Sequence, residues 1–282
     1  MLTVLSERVK PVATPLVCAI ISMMRADTSA LHSGTARLEA LRRWCRQPLG
    51  RSLAEVEQAA LCEVLCDVFG YHLVVLDPSC ELELLEASRI VNRIVQTGSR
   101  IGLEHGPSLL ASSEHLPYLS DSVDAFVLPH ALEVTQDPHQ VLREIDRCLV
   151  AEGHLVITGF NPYGWWGLRR LLGRSRGKSP WSLRFIGLSR LKDWLSLLGF
   201  DTVYIRYLFP HPPWTYGLGS DRWGIMARLH RDQRPWLAAS YVLVAKKRVA
   251  TLTPAKPRWR PRRALLAGGV IESRGGGLPG HG

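Results

Sequence analysis

The sequence predicts an α/β protein with a parallel β-sheet covered by helices on both faces. Two apolar runs, residues 124–131 (DAFVLPHA) and 154–160 (HLVITGF), are too short for helices and have the composition of buried strands. An amphipathic helix is predicted between them, and two buried strands joined by one helix make a right-handed βαβ unit. Strand-like and helix-like segments also alternate along most of the chain, which favours the same class.

The helix of this unit has clear signals at both ends. Asp137 can cap its N-terminus, Pro138 suits the first helical position, and Gln140 can complete a capping box. Gly153 is expected to end the helix. Its apolar stripe, at helical spacing, consists of Val141, Leu142, Ile145, Cys148 and Leu149.

Two longer helices are predicted near the start of the chain. The first covers residues 36–47, and a capping box of Ser52 and Glu55 opens the second, which runs to Phe69 and stops at Gly70. The apolar face of the first helix contains Leu38, Leu41, Trp44 and Cys45. Strands are then predicted at residues 71–77, at 89–98 and near 107–112, with a weaker helix at 81–88.

The second half of the chain continues the alternation. A basic, tryptophan-rich segment over residues 160–178 precedes an amphipathic helix at 187–200 and two strands at 201–209 and 240–248. The inward face of that helix contains Leu191, Trp194, Leu195 and Leu198.

One domain with two tails is the predicted organisation. Residues 36–248 can bury a full core, whereas 249–282 have too few apolar anchors and are predicted to be a disordered basic tail. Residues 1–35 are predicted to be a disordered or artefactual leader, whose apolar run is too short to span a membrane. An alternative for this leader is that translation begins at Met23 or Met24.

The net charge of +10 is concentrated in two parts of the chain. Residues 161–194 contain eight basic residues and one acidic residue, and residues 250–282 contain six and one. Local basic charge attracts nucleic acid, acidic lipid or a phosphorylated substrate, and the alternative is a solvated face. With 46% hydrophobic residues, the composition excludes a wholly disordered protein.

The six cysteines form no C-x-x-C pair. Cys62 and Cys66 share one face of a predicted helix but have no His or Cys companion at zinc spacing, so core packing is favoured and no metal site is predicted. Scattered thiols are typical of a reducing cytoplasm, which is the predicted location.

Residues 112–160 resemble the core of the class I S-adenosylmethionine-dependent methyltransferases of type 11, in both order and spacing. The resemblance rests on an acid–x–Leu–Pro–aromatic turn, an aspartate opening strand four, a Leu-Glu pair, an Asp-Pro helix start and a glycine before strand five. These features are Glu114–Tyr118, Asp124, Leu132–Glu133, Asp137–Pro138 and Gly153. Weaker similarity extends over residues 36–248.

This resemblance implies a Rossmann-like fold, a seven-stranded and mostly parallel sheet with an antiparallel last strand. It also implies S-adenosylmethionine as the cofactor, held across the carboxyl ends of the first strands. The expected activity is methylation of an acceptor, with a small molecule or a lipid-like compound favoured.

The cofactor motif departs from the family pattern. Ser79, Glu81 and Glu83 stand where the family has glycines, while Asp77 keeps the acidic position that ends strand one. At the end of strand two, Gln96 or Thr97 replaces the ribose-binding acid. The resemblance implies a cofactor site made of Asp77, Pro78, Ser79, Cys80, Gln96, Ser112, Ser113, Glu114, Leu116 and Leu128.

His130 is the predicted catalytic residue. It follows strand four, where the architecture faces the crevice, and an imidazole there can act as a general base. The alternative is a histidine that only hydrogen-bonds a loop. Asp77 has two interpretations as well, because it can bind the cofactor or cap the next helix, and Glu133 is expected to stabilise a helical turn.

The basic segment after strand five is predicted to form an amphipathic helix and a lid over the substrate crevice. The lid residues are Asn161, Tyr163, Trp165, Trp166, Arg169 and Arg170. Such a helix can dock on an anionic membrane surface, bind an anionic substrate or stack on nucleic-acid bases, and the alternative is a helix packed on the sheet with a basic outer face.

The sequence therefore predicts two alternative functions. The first is an S-adenosylmethionine-dependent methyltransferase. The second is a methyltransferase-like fold without catalysis that binds nucleic acid or an anionic surface, which the missing glycines and the basic segment favour.

Overall fold

The structure, a computed structural model, describes residues 34–79, 88–99, 108–172, 179–209 and 238–248. Its strands are β1 (His72–Leu76), β2 (Asn92–Thr97), β3 (Ser108–Leu110), β4 (Val123–Pro129), β5 (Leu149–Phe160), β6 (Phe200–Leu208) and β7 (Ser240–Lys247). Its helices are α1 (residues 34–45), α2 (Pro48–Leu65), α3 (Ala131–Val134), α4 (Pro138–Cys148), α5 (Trp165–Leu171) and α6 (Leu188–Leu197).

The described strands form one seven-stranded sheet in the order β3-β2-β1-β4-β5-β7-β6. Strands β1 to β5 run parallel to one another, while β7 is antiparallel to both β5 and β6. This order confirms the predicted Rossmann-like fold class and its antiparallel last strand. Because β1 to β5 are parallel, their carboxyl ends lie on one edge of the sheet, where such folds bind ligands.

Both faces of the sheet are buried because its strands are apolar on both sides. One cluster joins the sheet to α4 and α6, and includes Val74, Leu76, Phe126, Val141, Ile145, Leu191 and Leu195. The other joins it to α2, and includes Leu73, Val75, Val127, Ala60, Leu61 and Leu65. A third cluster, around Trp166 and Phe160, packs α1 and α5 together.

The boundaries of α2 differ from the prediction. The helix begins at Pro48, with Gln47 as its N-cap, and ends at Leu65, so the proposed capping box of Ser52 and Glu55 lies inside it. Proline is preorganised for a first helical turn, and this signal decides the start. The predicted extension to Phe69 is therefore also wrong.

The start of α4 is as predicted, but its end is not. The side chain of Asp137 accepts hydrogen bonds from the backbone N–H groups of His139 (3.0 Å) and Gln140 (3.1 Å). The Gln140 amide does not complete a capping box and donates instead to the Glu114 carbonyl at 3.4 Å. The helix ends at Cys148, and Gly153 lies within β5.

Several predictions fall outside the described residues. These are the helix at 81–88 (apart from Ser88), the tail, and the leader up to residue 33, whereas residues 34 and 35 begin α1. In the part of the chain that the structure describes, no helix is long and apolar enough to cross a membrane.

Candidate active site

Asp77 ties three strand ends together at the carboxyl edge of the sheet. One of its oxygens accepts from the backbone N–H of Gly98 (2.9 Å) and the other accepts from the Ser113 hydroxyl. Burial raises the pKa of the Asp77 carboxyl, although the hydrogen bonds from Ser113 and Gly98 lower it. Asp77 therefore holds the ends of β1 and β2 and the segment after β3 in place.

Gln96 ends β2 with one polar atom unused. The side chain is fully buried, and its Nε2 donates to the Ser112 carbonyl at 3.0 Å. Its Oε1 has no hydrogen-bond partner among the described residues. Thr97, the other predicted residue, already accepts from Arg42 at 3.1 Å. Gln96 Oε1 and, on β5, Thr158 Oγ1 are therefore buried oxygens at this edge that lack a partner among the described residues, which is unfavourable unless a ligand pairs with them.

Helix α1 contacts the same strand ends. The Arg42 guanidinium donates to the Pro78 carbonyl (2.9 Å) and to Thr97 Oγ1, and Glu39 accepts from the Ser99 hydroxyl at 2.9 Å. Sequence reasoning missed Arg42 and Glu39. Both lie on the polar side of an amphipathic helix, where a charged residue gives no signal of what it contacts.

The other predicted cofactor residues lie in different surroundings. Glu114 accepts from Thr135 Oγ1 (2.9 Å) and from the backbone N–H of Asp137 (3.2 Å), so it joins its loop to the start of α4. Leu116 and Leu128 are buried in the core cluster on that side of the sheet, Ser79 is buried, and Cys80 lies outside the described residues.

His130 is enclosed between two carboxylates. Its Nδ1 lies 2.8 Å from Glu133 and its Nε2 lies 3.0 Å from Glu57 on α2. The ring is 2% exposed and stacks on Phe160, with 4.2 Å between the ring centroids. The predicted general base is therefore wrong in its geometry, because both ring nitrogens are occupied and the ring does not face solvent.

The charge on His130 follows from this enclosure. Burial on its own lowers the pKa of the imidazole, but Glu57 and Glu133 outweigh burial and raise the pKa well above its ordinary value. The imidazolium thus bridges α2 and α3. Glu133 also accepts from the backbone N–H of Phe160 (2.7 Å), which links α3 to the end of β5 and agrees with the structural role expected for it.

Part of the predicted lid belongs to the buried core of the protein. Asn161 is buried, and its amide nitrogen donates to the Ala238 carbonyl at 3.1 Å. Trp166 is fully buried, and Trp165 packs against the same cluster. Gly164 is required at the start of α5, because an added Cβ would lie 2.3 Å from the Ala238 oxygen.

The outer part of the lid remains available for contacts. Tyr163 is 72% exposed and Arg170 is also exposed. The guanidinium of Arg169 lies over the Trp181 ring, and that of Arg170 lies over the Phe185 ring. Within the described ranges, no group of three or more His, Cys, Asp or Glu residues is arranged to hold a metal ion.

Comparisons with known proteins agree with this architecture. A family model described as a methyltransferase domain matches residues 58–157. The chain belongs to the class I S-adenosylmethionine-dependent methyltransferase family. It is 33% identical over 237 residues to the uncharacterised protein YafS of Escherichia coli K12, a match that covers 82% of this chain and 92% of YafS.

A solved methyltransferase has the same fold. The S-adenosylmethionine-dependent methyltransferase of Thermotoga maritima is 18% identical, with a TM-score of 0.52, over 73% of this chain and 93% of its own. Membership of this methyltransferase family indicates S-adenosylmethionine as the cofactor.

The described residues fit this cofactor at the end of β2. A ribose hydroxyl needs an acceptor there, and the unpaired Gln96 Oε1 can serve in place of the family's carboxylate. The neighbouring Gly98 leaves space among the described residues, since an added Cβ would meet Thr35 and Asp77 atoms at 3.5 and 4.0 Å, which is ordinary van der Waals contact. Ser112 and Ser113 adjoin this position through their bonds to Gln96 and Asp77.

Proposed function

We propose that this protein is an active methyltransferase that binds S-adenosylmethionine at the carboxyl ends of β1 and β2. The acceptor is a small molecule or a lipid-like compound that enters beside Tyr163, and the reaction takes place in the cytoplasm. The observation that carries the proposal is the buried, unpaired Gln96 Oε1 at the strand end where the family binds ribose. The free thiol of Cys148 is consistent with a reducing compartment.

The roles of the residues follow from their bonds. The cofactor, when bound, supplies a methyl group on a positively charged sulfur. Gln96 would accept a hydrogen bond from the ribose, while Asp77 and Ser113 keep the strand ends at a fixed separation. Arg42 holds α1 beside them through Pro78. Alignment of acceptor and methyl carbon is the main contribution that such a site makes to the rate.

Calorimetric titration with S-adenosylmethionine tests this proposal. We expect Gln96→Met to weaken binding by about tenfold, the equivalent of one buried hydrogen bond. The melting temperature should change little, because methionine fills a similar volume and removes an unpaired oxygen as well as a donor. Gln47→Met is the matched control, because Gln47 is exposed and its side chain makes no capping bond.

Two results would remove the proposal. One is a wild-type chain that fails to bind the cofactor at millimolar concentration, and the other is a Gln96→Met variant that binds as tightly as the wild type. The first result, combined with binding to a polyanion, would favour the alternative of an inactive methyltransferase-like module for nucleic acid or an anionic surface. The comparisons give that alternative no support.

A further inference from the structure

Helix α5 carries apolar side chains on its outer surface. Its inner face is fixed by Trp166, which is fully buried. On the outside, Leu168 is 43% exposed, Leu171 is 81% exposed and Leu172, which follows the helix, is 69% exposed. These leucines are spaced i, i+3, i+4, so they lie on one face of the helical turn. We call Leu168, Leu171 and Leu172, with the exposed Tyr163 that precedes them, the leucine face.

Such a face is unusual for a surface helix. Single exposed leucines are normal in folded proteins, as Leu197 on α6 shows at 86% exposure. A set of neighbouring leucines turned away from the core is different, because it exposes a continuous apolar area that a partner or a membrane can cover.

Two arginines lie on the same helix as the leucine face, Arg169 next to Leu168 in the chain and Arg170 one turn after the buried Trp166. Arg169 lies over the Trp181 ring at 4.8 Å and Arg170 lies over the Phe185 ring at 5.2 Å, each measured from the guanidinium carbon to the ring centroid. These contacts limit the freedom of two positive charges beside the leucines. In the sequence, residues 161–194 contain eight basic residues against the single acidic Asp193, so this segment as a whole is positively charged.

We infer that the leucine face docks on an anionic lipid bilayer, with the leucines among the acyl chains and the arginines at the lipid phosphates. An interfacial helix combines apolar and basic residues in this way, and each part contributes to binding. Single-stranded nucleic acid fits less well, because successive bases need several exposed aromatic rings, whereas the leucine face offers Tyr163 alone and Trp181 and Phe185 are only 8% and 7% exposed. This docking does not rest on the proposed methyl transfer.

Vesicle sedimentation with the full chain, in the absence of cofactor, tests the inference. The vesicles contain equal parts of phosphatidylglycerol and phosphatidylcholine, or phosphatidylcholine alone. We expect binding to the anionic vesicles that weakens as salt is added, because surface charge is screened. Binding to phosphatidylcholine alone should be much weaker.

Variants separate the apolar from the charged contribution. The double change Leu171→Ser and Leu172→Ser should weaken binding about tenfold or more. Each substitution removes most of the favourable free energy of moving a leucine side chain from water into the acyl chains. Leu197→Ser is the matched control and should bind as the wild type does. Arg170→Glu should weaken binding to anionic vesicles about tenfold and leave binding to neutral vesicles unchanged. Circular dichroism should be the same for all of them, because the altered side chains are exposed.

Three results would overturn the inference. The first is equal vesicle binding by the wild type and the double leucine variant. The second is a wild-type chain that binds single-stranded RNA but not anionic vesicles. The third is a wild-type dimer in light scattering that the leucine changes convert to a monomer without any vesicle binding, which would assign the leucine face to a second copy of the chain.

Discussion

Replacing His130 with phenylalanine is expected to destabilise the protein by about 3–5 kcal/mol. The imidazolium is bonded to Glu133 at 2.8 Å and to Glu57 at 3.0 Å, and the side-chain exposures are 2% for His130 and Glu133 and 8% for Glu57. Phenylalanine keeps a ring beside Phe160 but removes the cation, which leaves two buried carboxylates without compensation. This free-energy range includes the loss of the hydrogen bonds to Glu57 and Glu133.

The same cluster gives the wild type a defined pH dependence. The carboxylates raise the folded-state pKa of His130, so folding takes up a proton when the unfolded histidine is neutral. This stabilisation is complete below the ordinary histidine pKa of about 6.5 and is lost as the pH rises towards the folded-state pKa, by up to about 1.4 kcal/mol per pH unit. In Glu57→Gln one carboxylate is gone, so the loss should begin at the same pH, end at a lower pH and be smaller in total.

Urea unfolding followed by tryptophan fluorescence, between about pH 6.5 and about pH 8.5, measures both effects. In His130→Phe the part of this dependence that comes from the imidazole should disappear. The control is His154→Gln. Because burial lowers the pKa of His154, this residue changes the free energy of unfolding with pH only below the ordinary histidine pKa. Wild-type stability that stays flat over this range, or a loss under about 1 kcal/mol in His130→Phe, would refute the reasoning.

Two further predictions concern the packing around the site. Gly50→Ala should destabilise the protein by about 1–3 kcal/mol in urea unfolding, because the new Cβ would lie 2.3 Å from the Trp44 carbonyl oxygen; an unchanged midpoint would show that α2 can shift freely away from α1. Asp77→Ala should lower stability by about 1–3 kcal/mol, because the Gly98 N–H and the Ser113 hydroxyl would both lose their acceptor. Wild-type thermal stability in that variant would contradict the structural role given to Asp77.

The fold could be predicted from the sequence because its central unit is buried on both sides. Strands β4 and β5 must then be predominantly apolar, and the helix between them must show an apolar stripe. The ends of elements were harder to predict. Ser52 and Glu55 have the spacing of a capping box, but Pro48 starts the helix earlier and packing of Gly50 on Trp44 fixes it there.

For the site residues, the sequence predicted positions but not contacts. The sequence indicated that Asp77, Gln96 and His130 end strands, and therefore that they lie on one edge. It could not indicate which of their atoms are free, because that depends on partners from distant elements. Glu57 belongs to α2, and it changes His130 from a base into a buried cation.

The position of α5 bears on which acceptors the proposed methyl transfer can reach. Asn161 and Gly164 fix the start of α5 against Ala238, directly after β5 ends on the same edge as β1 and β2. A leucine face held on a bilayer would therefore hold the cofactor edge close to it. An acceptor dissolved in the bilayer is then at a high local concentration, whereas a water-soluble one gains nothing.

We accordingly expect anionic vesicles to accelerate methylation of an apolar acceptor by about tenfold or more, through local concentration alone. The changes Leu171→Ser and Leu172→Ser should abolish this acceleration and leave the rate without vesicles unchanged, because both side chains point away from the core. Methyl transfer from radiolabelled cofactor into extracted lipid measures it. A rate that rises equally with neutral vesicles, or that survives the leucine changes, would mean that the acceptor reaches the crevice through water.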